Sequence, residues 1–212
     1  MTGGALSAPL VSLAGPPASG KTTVARWLAE ALGGSLVLED YAGNPFLAES
    51  YAGRTDLRLA GQTWFLLSRV NQLESGRWPA GGCVVSDYAF LQDPVYAHVW
   101  LAGQELAIYE QLFARMVQRI HPPQVLVHLD GPVELLLQRV AGRGRDFEKY
   151  FTADFLARLR ADYNTALASA QCPVLTVDIA QYDLRDPARQ QWLLEQVRRV
   201  LEGSHGTLPY DQ

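Results

Sequence analysis

The segment Gly15-Pro-Pro-Ala-Ser-Gly20-Lys21-Thr22-Thr23 constrains this chain more than any other. An apolar run, Leu10 to Ala14, precedes it and an amphipathic run, Val24 to Leu32, follows, so the context reads strand, glycine loop, helix. That context is the one in which the pattern G-x-x-x-x-G-K-[ST], the P-loop, cradles phosphate. Gly15 and Gly20 can adopt backbone angles closed to other residues, which lets successive N–H groups converge at a helix N-terminus. Gly15, Ala18, Ser19, Gly20, Lys21, Thr22 and Thr23 are therefore the expected contacts of ATP. Lys21 would reach the β and γ phosphates, and the Thr22 hydroxyl would sit on Mg²⁺. Lys21 and Lys149 are the only lysines among 18 Lys and Arg residues, so a Lys in the loop stands out in a chain that otherwise uses Arg.

The remaining segments alternate between short apolar runs and helical patterns. Residues 9–14, Ser35 to Glu39, Cys83 to Ser86, Val125 to Leu129 and Val174 to Val177 read as strands. Helices are expected over Thr22 to Leu32, Leu57 to Leu73, Ala89 to Leu101, Glu105 to Ile120, Pro132 to Val140, Phe155 to Leu167 and Pro187 to Leu201. Gly142-Arg143-Gly144-Arg145 reads as an exposed loop, residues 77–82 as another, and 203–212 as a mobile tail. Five strands alternating with helices imply an α/β fold, a five-stranded parallel sheet covered by helices on both faces. Ligands in such sheets gather beyond the carboxyl ends of the strands.

At 212 residues and 48% hydrophobic, the chain fits one domain spanning 1–212. A net charge of −4 provides no basic field for nucleic acid. No stretch approaches 18 uninterrupted apolar residues, and the N-terminus lacks a basic, then apolar, leader, so no membrane partner is expected. Cys83 and Cys172 lack metal spacing and read as small hydrophobes buried in strands of a cytoplasmic protein.

Three carboxylates end strands: Glu39, Asp87 and Asp130. Phosphoryl transfer needs positioning and charge neutralisation, plus a proton acceptor when the attacking group is a hydroxyl. Glu39 fits that role by position, the alternative being a solvated strand-end carboxylate. Asp87, ending Cys-Val-Val-Ser, is the expected Mg²⁺ partner, with Asp130 competing, and either could instead cap a helix. Arg139, Arg143 and Arg145 could form an arginine lid over about 142–150 that closes on the donor phosphates, or a solvated basic turn.

With these residues in place, the chain resembles the deoxynucleoside kinases, and within them the bacterial deoxyadenosine and deoxyguanosine kinases, from the P-loop to about Tyr163. Glu39 followed by Asn44-Pro45 resembles the family's general-base segment, and Tyr51 to Arg69 its sugar- and base-binding helix. The resemblance makes Tyr51 a 3′-hydroxyl contact, Gln62 the base-reading amide, Arg69 its neighbour, Asp93 an acid facing the base and Glu148 a second 3′-hydroxyl contact. It makes Arg139, Arg143 and Arg145 the lid arginines, and it implies a homodimer formed through helices. Two positions depart from the family pattern. Asp87 is followed by Tyr88-Ala89 where most members have Arg-Ser, an arginine that helps hold the 5′-oxygen and transferring phosphate. The phosphate loop carries Pro16-Pro17 where many relatives have one Pro.

The expected activity is transfer of the ATP γ-phosphoryl group, with Mg²⁺, to the 5′-hydroxyl of a deoxynucleoside in nucleotide salvage. A nucleoside monophosphate kinase and a weakly active nucleotide-binding regulatory subunit are the alternatives. If Arg69 keeps Asp93 ionised, an acceptor-only group faces the base, so thymidine, which presents O4 as an acceptor, should be rejected. Deoxyadenosine or deoxyguanosine is the expected substrate, with deoxycytidine next.

Overall fold

The computed structural model describes residues 8–74, 78 and 82–203. The expected tail beyond 203 and most of the 77–82 loop lie outside these residues. The five strands are β1 (Leu10–Ala14), β2 (Ser35–Val37), β3 (Val84–Ser86), β4 (Val125–Asp130) and β5 (Val174–Asp178). They form one parallel sheet in the order β2-β3-β1-β4-β5. The helices are α1 (Lys21–Ala31), α2 (Leu47–Tyr51), α3 (Arg58–Leu73), α4 (Gln92–Trp100), α5 (Gly103–Met116), α6 (Val133–Arg143), α7 (Ala153–Ala168) and α8 (Pro187–Leu201). No described helix is long and apolar enough to cross a membrane.

The apolar runs become strands because both sides of the sheet are covered. Along β1 the pleat sends Val11 and Leu13 to one face, where they pack with α1 and α8 through Leu28 and Leu193. Leu10 and Ala14 face the other way, toward Leu66 of α3, Tyr109 of α5, Val95 of α4 and Leu159 of α7. Ser12, on that second face, is satisfied by a 2.8 Å bond to Ser86 Oγ, which in turn donates to the Tyr88 carbonyl. Central β1 lies between β3 on one side and β4 on the other, so the chain crosses from one half of the sheet to the other there. A crevice at the carboxyl ends follows, and the glycine loop opens into it.

Several boundaries differ from the sequence reading. β2 ends at Val37, so Glu39 lies two residues beyond it; the ladder stops because the Glu39 N–H donates to a side chain, Asp87 Oδ1, at 2.7 Å. The helix expected from Ala89 starts at Gln92, after turns closed by Gln92 N–H to Ala89 O and Asp93 N–H to Phe90 O. α6 continues through Gly142 to Arg143 and is ended by Gly144 in the left-handed region (φ 62°), so Arg139 and Arg143 are helical and only Arg145 lies in the connection that follows. A 3-10 segment, Asp146–Tyr150, completes that connection. Cys83 precedes β3 and is buried, whereas Cys172 precedes β5 and is half-buried, so neither lies within a strand.

Candidate active site

The phosphate loop closes on its own backbone. A Cβ on Gly15 would run into the Leu129 carbonyl of β4, and Gly20 sits at φ 102°, which L side chains rarely adopt, so both glycines are steric requirements. Ala18 has φ 63°, a costly conformation for a residue with a Cβ and one that recurs where a backbone is shaped around a ligand. Lys21 Nζ donates to the carbonyls of Gly15 (2.7 Å) and Pro16 (2.9 Å), and burial lowers its ammonium to about 8. Pro16 takes part in the loop through its carbonyl, which accepts from Lys21 Nζ and from the Ser19 N–H. Ser19 Oγ is buried with no hydrogen-bond partner among the described residues, which suits an absent acceptor such as a phosphate oxygen.

Beside the loop, Thr22 Oγ1 donates to Asp87 Oδ2 at 2.6 Å, while Asp87 Oδ1 takes the Glu39 N–H. Hydroxyl and carboxylate are hard oxygen donors, the type Mg²⁺ uses when substrate phosphates and water fill the other positions. Asp130 does not compete for this role. It ends β4 in a bidentate ion pair with Arg160 (2.7 and 2.8 Å), beside a separate depression.

Glu39 is a quarter exposed and is held through one oxygen. Its Oε1 accepts from Arg69 Nε (2.9 Å), Arg69 Nη2 and Gln92 Nε2 (2.7 Å), and Oε2 has no hydrogen-bond partner among the described residues. Arg69 also donates from Nη1 to Asp93 Oδ1 at 2.7 Å. Burial disfavours the Arg69 charge, but Asp93 and Glu39 outweigh it and hold the guanidinium well above its ordinary value. Burial pushes the Asp93 carboxyl up against the pull of Arg69 and of the Tyr109 hydroxyl, which donates at 3.0 Å.

One cleft of about 880 Å³ gathers these groups. Ala18, Ser19, Gly20, Lys21, Thr22, Thr23, Glu39, Tyr51, Gln62, Arg69, Asp87, Arg139, Arg143, Arg145 and Glu148 all line it. Gly15 and Asp93 do not, and for Asp93 this alters the chemistry. It is fully buried, with Arg69 as its link to the cleft. The expectation that an Asp93 oxygen opposes the base, and so excludes thymidine, therefore does not follow from the geometry; Arg69 and Gln62 are what the cleft presents.

Also lining the cleft, Arg143 and Arg145 both approach Glu148 Oε1, at 3.4 and 3.3 Å, and the Arg145 guanidinium lies 4.3 Å from the Tyr41 ring centroid. Glu148 is buried, with Oε2 unpartnered among the described residues. Phe147 packs on Tyr41 and Tyr51, and Tyr51 stands edge-on to Trp100 at 4.8 Å between centroids. Tyr88 is elsewhere. Its ring is fully buried in the core and its hydroxyl donates to Gln72 Oε1 at 2.8 Å, so it does not line the cleft.

Sequence reasoning did not find Gln92, Tyr41, Tyr96 or Phe147. Tyr96 was accessible, since it lies one helical step (i, i+3) from Asp93 on α4 and lines the cleft. Gln92 carried no signal, because its partners come from β2's extension and from α7, far away in sequence.

The deoxynucleoside kinase family model matches residues 11–202. Among curated proteins, a deoxyguanosine kinase of Bacillus subtilis (strain 168) is 28% identical over 180 residues, covering 81% of this chain and 87% of its own. A deoxyadenosine/deoxycytidine kinase of the same organism is 27% identical over 202 residues, covering 91% and 93%. Among solved structures, a deoxyadenosine kinase from M. mycoides with bound dATP superposes with a TM-score of 0.76 at 18% identity, over 89% of this chain and 99% of that one.

Proposed function

The chain belongs to the deoxynucleoside kinase family, and from that premise we propose that it moves the γ-phosphoryl group of ATP to the 5′-hydroxyl of a purine deoxynucleoside, with Glu39 as proton acceptor. The observation that carries this reading is the Glu39 carboxylate, anchored through Oε1 and leaving Oε2 free beside the cleft. A monophosphate acceptor would bring an already ionised oxygen and need no such group, so the carboxylate favours a hydroxyl acceptor over the nucleoside monophosphate kinase alternative.

The 5′-oxygen attacks the γ-phosphorus, its proton passes to Glu39 Oε2, and the bond to the β-phosphate oxygen breaks, releasing ADP. Lys21 holds the β and γ phosphates, and Arg139, Arg143 and Arg145 neutralise charge on the transferring group. Thr22 and Asp87 would hold Mg²⁺, which when bound supplies further neutralisation of the phosphates. Tyr51 and Glu148 take the sugar 3′-hydroxyl, and the unpartnered Glu148 Oε2 is the acceptor available for it. Gln62 can pair with the N6 and N7 of adenine, and the spare N–H groups of Arg69 with acceptors such as guanine O6 and N7. The names of the relatives add weight to a purine. The protein pairs as a cytoplasmic homodimer through α4 and α5, where Ile108 is an exposed apolar side chain.

Comparing kcat/KM for the four natural deoxynucleosides with ATP as donor tests this directly. Deoxyadenosine or deoxyguanosine should rank first. A pyrimidine in first place would overturn the purine assignment, and turnover of none of the four would overturn the reaction.

A further inference from the structure

Glu39 lies on irregular backbone beyond β2, so its side chain is oriented by what grips it and not by a strand or helix of its own. One grip is Arg69, whose guanidinium is shared with Asp93. The second is neutral. Gln92, the first residue of α4 and 2% exposed, donates from Nε2 to Glu39 Oε1 at 2.7 Å, and its own Oε1 accepts from the Tyr163 hydroxyl of α7 at 3.1 Å. A carboxylate only accepts, so the amide must turn its nitrogen toward Glu39; its oxygen then needs a donor, which buried Tyr163 supplies. A flipped amide would set its oxygen against Glu39 Oε1 and leave that amide oxygen without a donor.

We propose that Gln92, oriented by Tyr163, is a positioning residue that fixes the Glu39 carboxylate with Oε2 directed at the acceptor hydroxyl. The inference rests on Glu39 being the proton acceptor. Arg69 of α3 and Gln92 of α4 approach the same oxygen from two different helices, which defines the carboxylate better than either alone. Gln92 does this with a neutral amide and sets no second full positive charge beside the carboxylate.

Other titratable groups face Glu39: Lys21 from α1, Tyr51 from α2, Asp87 after β3, Asp93 and Tyr96 from α4 and Tyr163 from α7. Gln92→Met changes none of them. It removes one of the two grips on the carboxylate, so Oε2 should be less well directed at the acceptor hydroxyl.

The test is the split between kcat and deoxynucleoside KM, with ATP affinity and thermal midpoint, for Gln92→Met, Gln92→Glu, Tyr163→Phe and Glu39→Gln. In Gln92→Met, kcat should fall about tenfold with deoxynucleoside KM changed less than about threefold. Gln92→Glu, which places like charge beside Glu39, should lower kcat further, and Tyr163→Phe, a one-hydroxyl deletion, should lower it by less. A wild-type kcat in both Gln92→Met and Tyr163→Phe overturns the inference, as does a loss that appears in KM instead of kcat. If Glu39→Gln abolishes turnover while those variants keep the wild-type kcat, Gln92 alone is misassigned; if Glu39→Gln retains turnover, the proton-acceptor reading itself falls.

Discussion

Thr22 Oγ1 and Asp87 Oδ2 lie 2.6 Å apart, so the first turn of α1 is tied to the loop after β3 by two hard oxygens directly beside the phosphate loop. The same carboxylate takes the Glu39 N–H through its other oxygen, which links the expected cation site to the expected proton acceptor.

Asp87→Asn keeps the shape but replaces one acceptor oxygen with a donor and removes the charge. Turnover should fall by about 10² or more, and the Mg²⁺ concentration giving half-maximal rate should rise several-fold. Titrating the rate with Mg²⁺ for both proteins checks this; an unchanged Mg²⁺ requirement would place the cation elsewhere.

Lys21 links stability to pH in the nucleotide-free protein. Its ammonium is lowered by burial from 10.5 to about 8, so the charged form is disfavoured by folding; the penalty is full below pH 8 and is relieved as pH rises toward 10.5. Compared with Lys21→Met, the wild type should gain on the order of 3 kcal/mol across that window. Denaturant unfolding of the two proteins from pH 7 to 10 measures the difference, and a flat difference contradicts the burial. Wild-type affinity for ATP should also fall above about pH 8, since the phosphates favour the protonated amine.

Much of the fold was legible because its signals are local. The strands at 10–14, 84–86 and 125–130 are short, mostly apolar runs, and the phosphate loop is a contiguous pattern. Errors fell where a residue's local tendency lost to a tertiary partner. Gly142 reads as a helix breaker, yet α6 runs through it to Gly144. Leu38 and Glu39 continue an extended pattern, yet Gln72 and Asp87 side chains take their backbone groups. In the site, Asp93 was found through the family resemblance, but only the fold reveals that Arg69 links it to the cleft.

Tyr88 stands where the family resemblance led to an expected arginine, and its buried ring makes a direct prediction. Tyr88→Arg would place a second cation in the core, where the Arg69 guanidinium already lies 5.7 Å from the ring centroid. The cost should be about 3 kcal/mol or more, with no gain in kcat. Urea unfolding and a steady-state assay decide it: wild-type stability with a sharply raised kcat would mean that this position belongs to the phosphate site.

Glu39→Gln tests the central claim most directly, because it preserves size and hydrogen-bonding capacity while removing the basicity assigned to Oε2. With saturating deoxyadenosine or deoxyguanosine, kcat should fall by roughly 10² or more while ATP affinity stays near that of the wild type. An unchanged kcat would contradict the account and leave Glu39 as a carboxylate that merely balances Arg69.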